Sequence, residues 1–193
     1  GGQDAIQKAA KMLSEAKFPV ILSGAGVVIG DAINECKALA EKLDAPVCNG
    51  YQHNDSFPGS HPLAVGPLGY NGSKAAMQLI SKADVVLALG TRLNPFSTLP
   101  GYGIDYWPKD ANIIQVDMNP DRIGLTKKVT VGIAGDAKQV AQQILNKLSS
   151  KAGDSGREER KNLIHQTKSA WLQTLTSLDH EDDDPGTVWN KEA

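Results

Sequence analysis

The chain has 193 residues, of which 40% are hydrophobic and 22% charged, and its formal net charge is −2. That is ordinary globular composition, with enough chain for one core and an appendage. The near balance of charge excludes the basic footprint of a nucleic-acid or anionic-membrane binder, and apolar runs such as Val85-Val86-Leu87-Ala88-Leu89 are strand-length, far short of a membrane span.

The chain opens on Gly1-Gly2 without an initiator Met or a basic-then-apolar leader, which reads as a piece of a longer protein with no secretory signal. Cys36 and Cys48 fit no zinc or CxxC spacing. They read as small buried apolar groups of a cytoplasmic protein.

Ile6, Ala9, Ala10 and Leu13 recur at helical spacing and predict a helix over 4–16. Pro19-Val20-Ile21-Leu22 is a short apolar strand, broken by Ser23-Gly24-Ala25-Gly26. Asp31 stands as an N-cap before a helical face of Ile33, Cys36, Leu39, Ala40 and Leu43. Pro46-Val47-Cys48 is a second strand. Residues 49–72 are rich in Gly and Pro, hold His53 and His61, and lack periodicity. They predict one long irregular loop, a kind that is usually functional or mobile.

A helix follows at about 73–82. Residues 83–89 form a strand that is apolar without alternation, as a parallel strand covered on both faces would be. A second loop over 90–110 leads to the strand Asn112-Ile113-Ile114-Gln115-Val116-Asp117, and Val129-Thr130-Val131-Gly132-Ile133 is the last clear one. Asp136 caps a helix with Val140, Ile144, Leu145 and Leu148 facing inward.

Strands separated by helical segments mean right-handed βαβ crossovers and a parallel sheet. The expected fold is a Rossmann-like, doubly wound α/β domain of about six strands in residues 1–150. Residues 151–193 read as an appendage: a linker at Gly153-Asp154-Ser155-Gly156, a helix over 157–178 and an acidic tail from Glu181 to Gly186. That helix is amphipathic through Leu163, Ile164, Trp171, Leu175 and Leu178.

Such sheets bind ligands at the carboxyl ends of their strands. Gly24 and Gly26 follow the first strand, where glycine lets a backbone approach a phosphate. Gly30 comes one residue too late for the dinucleotide fingerprint, and a tight packing turn explains the glycines equally well. Asp117 and Asp136, the latter followed by Ala137, sit at later strand ends and could accept from a ribose, or serve as a turn and a helix cap. Arg92 could hold a phosphate bidentately or close an internal salt bridge. His53 and His61 titrate near neutrality, but no GxSxG or HExxH and no paired carboxylate accompanies them. The residues therefore offer ligand binding, with no self-contained catalytic or metal site.

Several segments in fixed order resemble a known family. They are Pro19-Val20-Ile21-Leu22 with Gly24-Ala25-Gly26, Phe57-Pro58-Gly59-Ser60-His61-Pro62-Leu63, Ala83-Asp84 through Leu89-Gly90-Thr91-Arg92-Leu93, Ile114-Gln115-Val116-Asp117 with Asn119-Pro120, and Gly135-Asp136-Ala137. Together, over residues 4–149, they resemble the central domain of thiamine-diphosphate enzymes of the acetolactate synthase type. The loops Asn49-Gly50-Tyr51-Gln52-His53-Asn54-Asp55 and Leu93-Asn94-Pro95-Phe96-Ser97 look most like the sulfoacetaldehyde acetyltransferase branch of that family.

The resemblance implies a parent enzyme that converts sulfoacetaldehyde and phosphate to acetyl phosphate and sulfite. Thiamine diphosphate and Mg²⁺ would be held by flanking pyrimidine- and pyrophosphate-binding domains, in a homodimer or homotetramer. This piece would be inactive alone, since it holds neither the glycine-aspartate-glycine metal motif nor the glutamate of the pyrimidine domain. Acetolactate synthases bind FAD in this domain and oxalyl-CoA decarboxylase binds ADP. Carried over position by position, such contacts would fall on Gly24, Gly26, Arg92, Asp117, Asp136 and Ala137. Tyr70-Asn71-Gly72 stands where FAD-binding relatives carry Met-His-Gly, which weighs against FAD, and a vestigial crevice is the other outcome. His53 is a further residue that could reach the parent's active site. A sirtuin-like deacylase, a cousin fold, would ask for four zinc-binding cysteines and finds two.

Overall fold

The computed structural model describes residues 2–182. Six strands form one sheet: β1 (Pro19–Ser23), β2 (Val47–Asn49), β3 (Ala64–Pro67), β4 (Val85–Leu89), β5 (Asn112–Asp117) and β6 (Val131–Ala134). Every pairing is parallel, and the spatial order is β3-β2-β1-β4-β5-β6. That order reverses direction between β1 and β4, as expected of a doubly wound sheet. All five residues of β1 and of β4 are buried, which is why neither strand alternates in sequence.

Among the described residues six α-helices complete the fold: α1 (Gln3–Glu15), α2 (Ala25–Ile29), α3 (Ile33–Leu43), α4 (Lys74–Ile80), α5 (Ala137–Lys147) and α6 (Arg157–Asp182). The predicted face of α1, Ile6, Ala9, Ala10 and Leu13, is fully buried. Helix α5 packs on both α1 and α3, and α4 packs on α6. Among the described residues no helix is long and apolar enough to cross a membrane. Both cysteines are buried. Burial pushes the Cys36 thiol up to about 12 and raises that of Cys48 as well, as their reading as core groups requires.

Four expectations need correction. The stretch 49–72 is not all loop: β3 lies inside it as an edge strand. It is short, meets β2 across a register shift, contains Gly66 at φ +92 and ends in Pro67, so neither alternation nor a β-branched run announces it. The turn after β1 holds a helix, α2, of only five residues. Asp31 does not cap α3. It sits at φ +51, Ala32 takes the cap position, and the Asp31 carboxylate accepts instead from Lys138 Nζ at 2.8 Å.

The fourth correction concerns the predicted linker at 153–156, which is a fixed turn. Gly153, at φ +84, lies so close to Leu43 that a Cβ would come within 2.9 Å of its backbone. Arg160, one turn into α6, has no exposed surface. Its guanidinium donates to the carbonyls of Leu43, Asp44, Lys17, Gly153 and Ser155. Two of these close α3 at its C-terminus, where carbonyls lack helical partners. Arg157 adds an ion pair to Asp44 at 2.7 Å. Ile164 is buried beside this clamp, whereas Leu172, Leu175 and Leu178 are exposed, so the expected apolar stripe is covered only along the first half of α6. The tail from Asp183 onward lies outside the described residues.

Candidate functional site

Because the sheet is parallel, the turns after β1, β2, β4, β5 and β6 gather at one end. Between them lies a crevice of about 500 Å³ at the β1/β4 reversal, within the range of roughly 300–1,000 Å³ that holds small ligands. Of the six predicted residues, Gly26, Arg92, Asp117, Asp136 and Ala137 line it. Gly24 packs just behind, against Thr91 and Gly90.

The glycines answer first to packing. A Cβ on Gly26 would stand 2.7 Å from the Gly90 Cα, and one on Gly24 would stand 2.6 Å from the Thr91 Cβ. Gly90 itself is at φ +62, a conformation that suits glycine. The Gly26 N–H donates to the Gly90 carbonyl at 2.8 Å, so it is already engaged within the protein. Two crossing turns, after β1 and after β4, thus lock together as the floor of the crevice.

The two acids hold the turns that carry them. Asp117 is 8% exposed, and its Oδ1 accepts from the Asn119 N–H at 2.8 Å. Asp136 caps α5, its Oδ1 accepting from the Gln139 N–H at 3.0 Å. Each carboxylate keeps a second oxygen for which the described residues supply no hydrogen-bond partner. Arg92 is exposed and belongs to no ion pair of the described residues, so the alternative of an internal salt bridge does not hold.

Sequence reasoning missed Arg122, a second exposed cation lining the same crevice and in no ion pair among the described residues. Its position depends on Gln115, a buried amide in the middle of an apolar strand. Gln115 Nε2 donates to the carbonyls of Thr91 and Arg122, both at 3.2 Å, and its Oε1 accepts from Gly124 N–H at 2.9 Å. This amide ties the loop after β5 to the loop after β4, which carries Arg92. A lone polar residue in the run Ile113-Ile114-Gln115-Val116 was the available signal. Ile29 and Met118, both strongly exposed, give the crevice an apolar rim.

The two histidines separate. His53 lines the crevice. His61 sits elsewhere, its Nδ1 accepting from Leu63 N–H and its Nε2 at 3.1 Å from Glu41 Oε1. It lines a second and larger cavity, about 940 Å³, between β3 and α6. That cavity carries none of the six predicted residues. Among the described residues, no three His, Cys, Asp or Glu side chains come together to hold a metal.

Comparison with known proteins adds an independent line. Residues 6–144 match the family described as thiamine pyrophosphate enzyme, central domain. The chain is 82% identical over 190 residues to a probable sulfoacetaldehyde acetyltransferase of Rhizobium meliloti (strain 1021), covering 98% of this chain and 32% of that protein. It is 74% identical over 193 residues to a sulfoacetaldehyde acetyltransferase of Roseovarius nubinhibens, covering 100% of this chain and 32% of the relative. A probable acetolactate synthase large subunit of Methanocaldococcus jannaschii is 41% identical over 173 residues, covering 90% and 27%. The chain therefore spans about a third of the length of the curated relatives it matches, 32% for the first two.

Proposed function

The chain belongs to the central-domain family of thiamine pyrophosphate enzymes, and from that premise we propose that it is the middle domain of a sulfoacetaldehyde acetyltransferase. The parent would convert sulfoacetaldehyde and phosphate to acetyl phosphate and sulfite in the cytoplasm. One observation carries this reading: identity of 82% and 74% to proteins of that name, against 41% to an acetolactate synthase.

Thiamine diphosphate, when bound, supplies the carbanion-stabilising chemistry. We assign it and Mg²⁺ to flanking domains of a homodimeric or homotetrameric parent, and this chain by itself to no turnover. What its own residues contribute is a scaffold, with α6 held by the Arg160 clamp as the path toward the pyrophosphate-binding domain.

The crevice suits a phosphate-bearing nucleotide on the chemistry of its donors. Arg92 and Arg122 offer two guanidinium groups, neither ion-paired with a carboxylate among the described residues, and guanidinium is the donor that phosphate recognition favours. The open oxygens of Asp117 and Asp136 suit ribose hydroxyls, and Ile29 and Met118 suit the face of a base. The Gly26 N–H, spent on Gly90, contributes no donor. A volume of about 500 Å³ favours one nucleotide, such as ADP, over the larger FAD.

The test is assay of the full-length protein that contains this segment. Sulfoacetaldehyde and phosphate should yield sulfite and acetyl phosphate in equal amounts, dependent on thiamine diphosphate. Formation of acetolactate from pyruvate, with no sulfite from sulfoacetaldehyde, would assign the parent to the other branch.

A further inference from the structure

In a chain with 22% charged residues, three segments carry none: 62–73, 93–104 and 169–178. They lie apart in sequence and meet in the fold. The Tyr70 N–H donates to the Phe96 carbonyl at 3.2 Å, and the Tyr102 hydroxyl donates to the Gly72 carbonyl at 3.1 Å. The Tyr102 ring packs edge-on against Trp171 of α6, with centroids 5.7 Å apart. Leu175 and Leu178 continue from Trp171 along the same side of the helix.

Tyr70, Phe96, Leu99, Tyr102, Leu175 and Leu178 are between 39% and 65% exposed. A whole aromatic side chain buries about 150–250 Å², so six half-exposed apolar groups uncover on the order of 500 Å². Scattered exposed leucines need no explanation, but a convergent apolar set of that extent marks an interaction site. Depletion of charge together with enrichment in Tyr, Phe and Trp is the composition of the centre of a protein interface. The lack of Lys and Arg in all three segments sets this face apart from a phosphate site or an anionic membrane surface.

The fold holds the face outward. Tyr102 stands at φ +52, a region that L residues avoid. That turn keeps its ring at the surface, with the hydroxyl anchored on Gly72 and the ring edge on Trp171. An aromatic fixed in advance loses little rotamer freedom when a partner covers it.

We propose that this face is the docking surface for the domain that follows α6 in the parent polypeptide, and that it meets an uncharged, apolar face there. The proposal rests on the reading of this chain as a middle domain. The chain covers 32% of the Rhizobium and Roseovarius relatives, so most of their length lies in other domains. Part of the face lies on α6 itself, so the domain reached through α6 has the shortest tether to it. A short tether gives a partner a roughly millimolar effective concentration, which a free second copy of the chain does not match.

Two measurements on the full-length protein test this. Carbene labelling from a photolysed diazirine reports which side chains are exposed. Labelling of Phe96, Leu99, Tyr102 and Leu178 should fall about fivefold or more between the 193-residue chain and the full-length protein, because groups at the centre of an interface lose their solvent. With p-benzoylphenylalanine in place of Phe96, irradiation of the full-length protein should cross-link this position to peptides C-terminal to the segment in the same polypeptide. Unchanged labelling would overturn the proposal. So would cross-links to the preceding domain, to the same segment of a second copy, or to nothing. Neither measurement involves turnover, so a parent that makes no sulfite would refute the proposed function and leave this result standing.

Discussion

Replacing Arg160 with Met is the sharpest test of how α6 is held. The guanidinium is fully buried and makes five bonds to main-chain carbonyls. A hydrogen bond from a charged donor contributes about 1.5–3 kcal/mol net. The five cannot simply be added, because the carbonyls of Leu43, Asp44 and Lys17 regain water once α6 lifts away. Desolvation of the cation, which lowers the Arg160 pKa, also offsets part of the gain. The expected loss is therefore about 3–5 kcal/mol, the usual range for breaking a buried charged contact. For a domain of this size that lowers the melting temperature by roughly 10 °C. Arg160→Lys should recover part of the loss, since an ammonium offers three donors in place of five.

Urea unfolding, followed by circular dichroism and by Trp fluorescence, measures the change. Trp171 lies on α6, so in a variant with Trp107→Phe and Trp189→Phe a fluorescence midpoint below that of circular dichroism would show α6 leaving first. A loss under about 1 kcal/mol would refute the clamp as the main attachment of α6, since it is what a surface residue contributes.

Gly26→Ala drives a methyl against the Gly90 backbone at 2.7 Å and should destabilise the domain by about 1–3 kcal/mol in thermal melts; an unchanged melting temperature would contradict the interlocked turns. Arg92→Ala and Arg122→Ala should each weaken ADP binding to the chain about tenfold, the loss of a charge-assisted pair, and calorimetry showing equal affinity would remove both from the site. Gln115→Leu leaves three main-chain partners unmatched and should cost about 2–3 kcal/mol, read from urea midpoints. Cys36, held protonated up to about 12 by burial, should resist a thiol reagent at mildly alkaline pH until the chain is unfolded. Its raised native pKa adds stability below the ordinary thiol pKa that is lost as pH rises toward about 12; prompt labelling of the folded chain would contradict that.

Where burial imposed a period, the sequence was legible. The apolar faces of α1, α3 and α5, and the apolar runs of β1 and β4, stand out because each must meet the core along its length. β3 was not legible: it is a four-residue edge strand, too short for a period, and as an edge strand it tolerates Gly66 and Pro67. Neither was α2, too short to complete a periodic signal. In the crevice, Asp117 and Asp136 could be found because parallel topology puts strand ends together. Arg122 could not, because its place follows from a long-range bond through Gln115. Arg160 was hidden for a similar reason. A lone arginine on a charged helix looks like solvent-facing surface, and only the fold reveals the carbonyls that surround it.

The central claim is that this chain is a middle domain whose parent keeps its cofactor elsewhere. Titrating thiamine diphosphate with Mg²⁺ into the isolated chain tests it most directly. The account predicts no binding heat even at millimolar cofactor; tight, one-to-one binding would contradict it and place the cofactor site within these residues.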